Sequence, residues 1–317
     1  MLGMFQEAAI SYIDENTSVL MPFNIFYKSL PRYIDHIHSS VIIKAKKNQK
    51  LEDFDVELLK VLFMIKYVTG IKANPQNLTT LMVGHIDEDV MNLRNKIDKS
   101  LKRLVDQTLV QKNGEIYSFL THEEQDINRA IQQENVELGE IINKASSVIF
   151  EDIFQDSKYS YSPRYNFSFN KAVDDRYLGK HSADMGVRVI TPYYDFRLST
   201  DDHSNMISPI SEGEQINTIL RGISEENNEV IIHLGEDSSF LDEITGLLKI
   251  EKYLIKKSVD LSPSSESILK AKRDEASEKR GRIKLYLKEA LKHAEIYVKG
   301  DKVNIQKKIL LKESRTP

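Results

Sequence analysis

Cysteine is absent from all 317 residues, which excludes disulfides, Cys-based zinc sites and a thiol nucleophile. That absence is compatible with a reducing cytoplasm, and a cytoplasmic location is the expectation. No uninterrupted apolar run approaches the ~20 residues needed to span a bilayer, so no membrane role is expected. The first residues show no basic segment followed by an apolar stretch, the pattern of a secretory signal. Net positive charge is missing too: 44 Lys and Arg face 48 Asp and Glu, a formal −4, so nothing draws the whole chain toward nucleic acid. Internal repeats and low-complexity tracts are absent as well.

Catalytic patterns are equally scarce. A P-loop needs glycines that let backbone amides approach phosphate, then Lys and Ser or Thr. Leu178-Gly179-Lys180-His181-Ser182 lacks the upstream glycine and carries His181 where Ser or Thr belongs. Asp174, Asp175, Asp195, Asp201 and Asp202, with His203, invite a metal-nuclease reading, but a two-metal site needs carboxylates placed by rigid strands. Most of these fall in loops, and surface loop charge is the expected role. His36 and His38 are two apart, so they share no helix face. His233 lies in an apolar strand and reads as a core histidine. No Ser/His/Asp arrangement follows from spacing. Neither catalytic nor metal-binding nor cofactor-binding residues are expected in this chain.

What remains is the composition of a globular protein, 40% hydrophobic and 29% charged, long enough for two domains or three small ones. Charge is unevenly spread: from Lys249 onward 19 Lys and Arg stand against 10 Asp and Glu, which leaves the rest acidic. The pattern along the chain predicts an α+β protein, an N-terminal helical and winged-helix region followed by a mixed α/β domain and a long charged helix. Residues 1–50 read as a helical segment. Residues 51–132 read as a winged-helix domain, 133–158 as a helical linker, 159–260 as an α/β domain and 261–317 as a charged helical arm with a terminal hairpin.

The most informative stretch runs from Asn77 to Leu120. Upstream of it, Phe54 to Val68 is apolar on nearly every side, as befits the centre of a small bundle. Pro75 and Asn77 introduce a short helix. Asp87 is placed to cap the long helix that follows, where Val90, Leu93, Ile97, Leu101 and Leu104 form one apolar stripe. Asn113-Gly114 between Leu109–Lys112 and Glu115–Phe119 predicts a tight hairpin of type I′. Thr121 with Glu124 forms a capping box for a further helix.

A short helix, a turn, a long helix and a hairpin in close order are the grammar of a winged helix. If such a module grips double-stranded DNA, the residues offered to the groove are Arg94, Asn95, Lys99, Lys102 and Arg103, with Lys112 and Asn113 on the wing. Glu88, Asp89, Asp98 and Asp106 on the same helix, and Glu115 on the wing, favour a protein-packing role instead, and both readings stand. Further along, Tyr165, Phe167 and Phe169 alternate with polar residues and predict a half-buried strand. Gly186–Thr191 and Glu229–Leu234 predict two more strands, the latter interior. Ser265–His293 is a long charged helix, either an extended arm or half of a helical hairpin. Glu295–Ile305 predicts a hairpin around Gly300-Asp301.

The string LLKVLFMIKYVTGIKANPQNLTTLMVGHIDEDVMNLRNKIDKSLKRLVDQTLVQKNGEIYSFLTHEEQDINRAI, with GVRVITPYYD, EVIIHLGED and LLKIEKYLIKK after it, resembles the BrxC/PglY-like P-loop ATPases of BREX phage-defence systems. The likeness spans about residues 1 to 305, and the winged-helix string is its most specific portion. Members of that family are far longer, and their Walker motifs lie upstream of anything present here, so the resemblance implies an internal piece of a larger ATPase. It implies ATP and Mg²⁺ for the full-length family, without assigning either to a residue of this chain. It also implies work on DNA in a complex with other BREX subunits, including a methyltransferase. The competing reading is a stand-alone winged-helix transcriptional regulator with a ligand domain, and a metal-dependent nuclease comes third.

Overall fold

The computed structural model describes residues 2–10, 12–13, 18–32, 36–68, 70–194, 212–257 and 263–303. Two compact units divide the chain, Met1–Gln133 and Glu134–Pro317.

The first unit contains helices α1 (Leu2–Ile10), α2 (His36–Lys46), α3 (Asp53–Ile65), α4 (Pro75–Met82) and α5 (Val90–Asp106). The hairpin β1 (Val110–Asn113) and β2 (Ile116–Phe119) follows, then helix α6 (His122–Gln132). A 3-10 stretch, Phe23–Arg32, lies between α1 and α2. Helix α3 is the centre of this unit because its circumference is apolar: Val56, Leu58, Leu59, Val61, Leu62, Phe63 and Ile65 are all buried. The Phe63 ring stands edge-on to Tyr27 and to Phe119, with centroids 6.0 and 5.1 Å apart, which ties the 3-10 stretch and the hairpin to α3.

Helix α5 is capped by Asp89, not Asp87: its side chain accepts from the amides of Met91 and Asn92. The two-residue difference moves Val90 into the first turn, where it is 54% exposed. The buried stripe therefore begins at Leu93 and continues through Ile97, Leu101 and Leu104. The helix ends in a Schellman motif. The Leu109 amide donates to the Leu104 carbonyl at 3.0 Å and the Thr108 amide to Val105 at 2.9 Å. Thr108 occupies the left-handed position of that motif with φ +57°, where glycine is the unstrained choice.

The hairpin pairs Asn113 with Ile116, so its two-residue loop is Gly114-Glu115. Positive φ occurs there only at Gly114 (+59°), which is the requirement of a type II′ turn rather than the expected type I′. The Tyr117 amide donates to the Ala73 carbonyl at 3.0 Å, so the segment before α4 lies along the outer side of β2. The predicted capping box at Thr121 and Glu124 is present, and Glu124 also pairs with Lys66 at 2.5 Å.

The second unit opens with α7 (Leu138–Ser147), which runs into a π-helical turn, Val148–Ile153. Ile141, Ile142, Ala145, Ile149 and Phe150 are buried, so residues expected as a linker contribute core to this unit. Strands β3 (Lys158–Ser162) and β4 (Tyr165–Ser168) form a separate two-stranded sheet. Strands β5 (Asn170–Val173), β6 (Arg176–Leu178) and β7 (Gly186–Ile190) follow. Then come helix α8 (Glu212–Glu226), strand β8 (Glu229–His233), helices α9 (Ser239–Lys256) and α10 (Pro263–His293), and strands β9 (Glu295–Val298) and β10 (Asp301–Val303).

One six-stranded sheet has the order β10-β9-β8-β7-β5-β6. Neighbours β5, β7 and β8 run parallel, while β6, β9 and β10 pair antiparallel at the two sides. On one face Ile190, Ile231 and Tyr297 pack with Leu220 of α8. Residues of the opposite parity, Val173, Val189 and Ile232, are buried as well, so both faces of the central strands are covered. Interior placement of β8 agrees with its apolar run.

Helix α10 is not an extended arm. It lies against α9, burying Ala276, Ile283 and Leu287, with Glu243 paired to Lys279 (3.0 Å) and Arg282 (3.1 Å) across the two helices. The terminal hairpin turns at Lys299-Gly300, both with positive φ as a type I′ turn requires, one residue earlier than predicted.

Thr108→Gly removes the left-handed strain while keeping both Schellman hydrogen bonds, and is expected to raise stability by about 1 kcal/mol. Ile97→Ala opens a cavity at a fully buried position and is expected to cost about 2–5 kcal/mol. Urea denaturation of both variants beside the parent chain checks the two signs.

Candidate functional site

On α5 the spacing of Asn95, Lys99 and Lys102 places them on one side of the helix, and all three are exposed. Asp98 and Asp106 flank the same stripe, and Asp98 pairs with Arg94 at 3.3 Å. Lys112 is exposed on β1 with its ammonium 5.8 Å from the centroid of the Tyr117 ring, the residue opposite it in the hairpin. Asn113 ends the same strand and is half-buried.

Arg103 is a different case. Its Nε and Nη2 donate to the two oxygens of Asp55, each at 2.7 Å, and Nη2 also lies 3.0 Å from Glu52. Asp55 is wholly buried. Burial pushes the Asp55 carboxyl up, but the Arg103 fork and the Glu52 amide outweigh it and hold the group below its ordinary value. A guanidinium committed to a buried carboxylate fastens α5 to the start of α3 and is not offered to a phosphate. Of the seven candidate residues, the fold thus presents Asn95, Lys99 and Lys102 on one helix face and Lys112 on the hairpin. Arg94 and Arg103 are engaged with carboxylates.

In the second unit a polar row crosses the sheet face that α8 covers. The Arg188 Nε donates to Glu229 Oε2 at 2.6 Å, Nη2 donates to the Tyr177 hydroxyl at 2.7 Å, and Nη1 donates to the Asp174 carbonyl at 2.6 Å. The Tyr177 hydroxyl in turn donates to Glu229 Oε1 at 3.1 Å. Gly186 stands opposite Glu229 in the register. A Cβ there would meet the Glu229 side chain at 3.0 Å, so the missing side chain is what lets the carboxylate lie across β7.

Asp174 is buried, contrary to the expectation of loop surface charge, and has φ +49° in the turn between β5 and β6. Its carboxyl accepts from the Thr191 amide and hydroxyl, both at 2.8 Å. Burial pushes this carboxyl up to about 6; the Thr191 bonds pull it down and the neighbouring Asp175 charge adds to the rise. Asp175 itself is exposed. Asp195, Asp201, Asp202 and His203 lie outside the described residues.

His233 sits on the same face, 3.8 Å from Glu295, and burial lowers it from its ordinary value. The Leu178–Ser182 segment is held by Asn170, whose Oδ1 accepts from the amides of Ser182 and Ala183, both at 3.0 Å. That is a structural clip and not a phosphate cradle.

Sequence reasoning missed the Arg188–Glu229–Tyr177 cluster. The available signal was one charge of each sign inside strands that are otherwise apolar, GVRVI and EVIIH. Only the register brings the two charges together. Chemically the row is saturated: the guanidinium nitrogens and both Asp174 oxygens are engaged, and no group of three or more His, Asp or Glu among the described residues could hold a metal ion. No helix of the described residues is long and apolar enough to cross a membrane.

A mixed six-stranded sheet braced by a buried ion pair thus follows, along the chain, a helical unit that ends in a hairpin and a capped helix. Residues 134–312 match the family model described as the BREX ATP-binding protein BrxC 4th domain with six-stranded beta sheet. That match covers more than half of the chain, its start coincides with the first residue of the second unit, and the six-stranded sheet of its description agrees in strand number with the sheet found here. The chain belongs to this BREX family. No solved structure matches it.

Arg103→Ala leaves the Asp55 carboxylate buried and unpaired, and is expected to destabilise the fold by about 3–5 kcal/mol. Lys99→Ala is expected to stay within about 0.5 kcal/mol of the parent. Denaturant midpoints separate the two.

For Asp174 the folded carboxyl holds its proton more tightly than the unfolded one, whose value is near 3.8. Its contribution to stability is therefore fully present below pH ~4 and is lost as pH rises through ~6. Asp174→Asn is expected to remove that loss, so that the variant gains on the parent by about 2 kcal/mol between pH 4 and pH 7. Urea titrations at the two pH values read the difference.

Proposed function

We propose that the chain is a non-catalytic coupling region of a BREX defence ATPase, working in the cytoplasm with other BREX subunits, a methyltransferase among them. ATP and Mg²⁺ belong in this reading to the P-loop module of the full-length family. The first unit acts as a winged helix that transmits the state of that module to DNA. The observation that carries the proposal is the exposed Asn95–Lys99–Lys102 stripe on α5, a capped helix followed directly by the β1–β2 hairpin. The Ala73–Tyr117 hydrogen bond supports it, because it gives β2 the third extended neighbour that a winged helix places between its first two helices. Membership in the BREX family favours this coupling role over a stand-alone transcriptional regulator.

A second reading, in which the same unit docks a partner subunit, has its own support. Residues 18–20 run beside 84–86, with the Leu20 amide donating to Gly84 at 2.8 Å and the Ile86 amide to Ser18 at 3.0 Å. Leu20 and Ile86 on these paired segments are exposed, as are Val90 and Met91 at the start of α5. Apolar exposure of that kind suits a protein contact better than a phosphate backbone.

The test is a titration of short duplex DNA at two salt concentrations. Each Lys that neutralises a phosphate adds about 0.9 to the slope of log affinity against log salt. The double substitution Lys99→Gln, Lys102→Gln is expected to flatten that slope by roughly 1.8 and to weaken binding across sequences. Binding indifferent to the substitution, or none at low salt, removes the DNA reading. Loss of subunit co-purification on Ile86→Ser with Met91→Ser would then carry the partner reading in its place.

A further inference from the structure

The hairpin formed by β3 and β4 keeps four aromatic rings out of any core. Tyr159, Tyr161, Tyr165 and Phe167 are 59%, 71%, 62% and 43% exposed, where the sequence pattern had predicted a half-buried strand. The two strands form their own sheet, separate from the six-stranded one. Tyr159 stands directly opposite Phe167, and Tyr165 lies two residues from Phe167 on the same strand, hence on the same face. Tyr161 occupies the irregular position between Ser160 and Ser162, where the register shifts.

The only charges within residues 158–168 are Lys158 and Arg164, both positive, at the open end and at the turn. No carboxylate interrupts the hairpin, although the chain as a whole is acidic. The base of the hairpin is tied down: the Lys171 ammonium lies 5.7 Å from the Phe169 ring centroid and 5.5 Å from that of Phe150. An anchored ribbon with cations at its ends and bare rings between them has the composition of a stacking platform.

Ring spacing decides which nucleic acid fits. Alternate residues of a strand lie about 7 Å apart. Bases stacked in a duplex strand repeat at about 3.4 Å and have no free face for a ring to enter. Bases of an unpaired strand can be splayed to the wider repeat and stacked one by one on aromatic side chains.

We propose that the β3–β4 hairpin binds unpaired DNA, its rings stacking on successive bases while Lys158 and Arg164 meet the flanking phosphates. The site is distinct from the α5 stripe, and the two are separable by experiment. Because the protein has no tryptophan, tyrosine dominates its emission, and base stacking quenches it directly.

The experiment titrates the full chain with a fluorescent oligothymidine of about 20 nucleotides at low salt, reading anisotropy together with tyrosine emission. Binding accompanied by quenching is expected. Tyr159→Ser with Phe167→Ser should weaken it by about tenfold or more. Tyr159→Phe with Tyr165→Phe, which keeps the rings, should hold within about twofold of the parent. Because the serine positions are exposed, the melting temperature of that variant should match the parent's; should it fall, quenching in the parent and retention by the phenylalanine variant decide the matter. Absence of binding at low salt, binding without quenching, equal affinity of the folded serine variant, or equal competition by duplex DNA would overturn the proposal and leave the platform to a protein partner.

Discussion

One guanidinium, that of Arg188, holds four of the six strands of the sheet together. It rises from β7, bonds to Glu229 at the start of β8, to the hydroxyl of Tyr177 on β6 and to the carbonyl that closes β5. Two ions buried this deeply lose their hydration, and their mutual attraction offsets that loss only when geometry and hydrogen bonding are complete. Here they are complete, because every strand in reach supplies a partner. The consequence is specificity of pairing more than bulk stability. A one-residue slip of β7 against β8 would turn Arg188 to the other face and strand Glu229 without a counter-ion. Gly186 belongs to the same constraint, since a Cβ there would crowd the Glu229 side chain at 3.0 Å and push it from its place over β7.

The first unit solves a comparable problem with Asp55 and Arg103. The carboxylate serves twice, accepting from the Glu52 amide at the cap of α3 and from the guanidinium of α5. Helix entry and helix packing are thereby set by one side chain. That use removes a cation from the outer face of α5, which is left with Lys99 and Lys102 against Asp98 and Asp106. The face is polar and close to neutral, and its affinity for any polyanion rests on two lysines and the hairpin. A face with so little net charge exerts only a weak long-range attraction on any polyanion.

Much of the architecture was legible because it rests on periodicity. The apolar ring of α3, the stripe of α5 from Leu93 to Leu104, the Thr121–Glu124 capping box and the continuous apolar run of β8 are local patterns, and each produced the element it announced. Both Asn113-Gly114 and Gly300-Asp301 marked hairpins, yet each loop is displaced by one residue, because strand pairing and not glycine alone chooses the loop. The aromatic alternation of Tyr165 and Phe167 promised burial, but both rings are exposed. Of the candidate contact residues, Asn95, Lys99 and Lys102 were readable as one helix face from their spacing. Arg103 was not readable, because its partner lies 48 positions earlier.

The sequence by itself determined most of the helices, the apolar strands, the neighbourhood of caps and turns to within a residue or two, and the absence of thiol chemistry, since these follow from composition, backbone propensity and near-neighbour contacts. Only the tertiary structure decided which charges are spent. Asp55, Arg103 and Asp174 look like ordinary surface residues in the chain, Arg188 and Glu229 stand out only as single charges in apolar strands, and each is committed to a partner brought close by strand register or helix packing. The reason is physical: the free energy of a charge depends on what replaces its water, and that is a property of three-dimensional neighbours rather than of position along the chain.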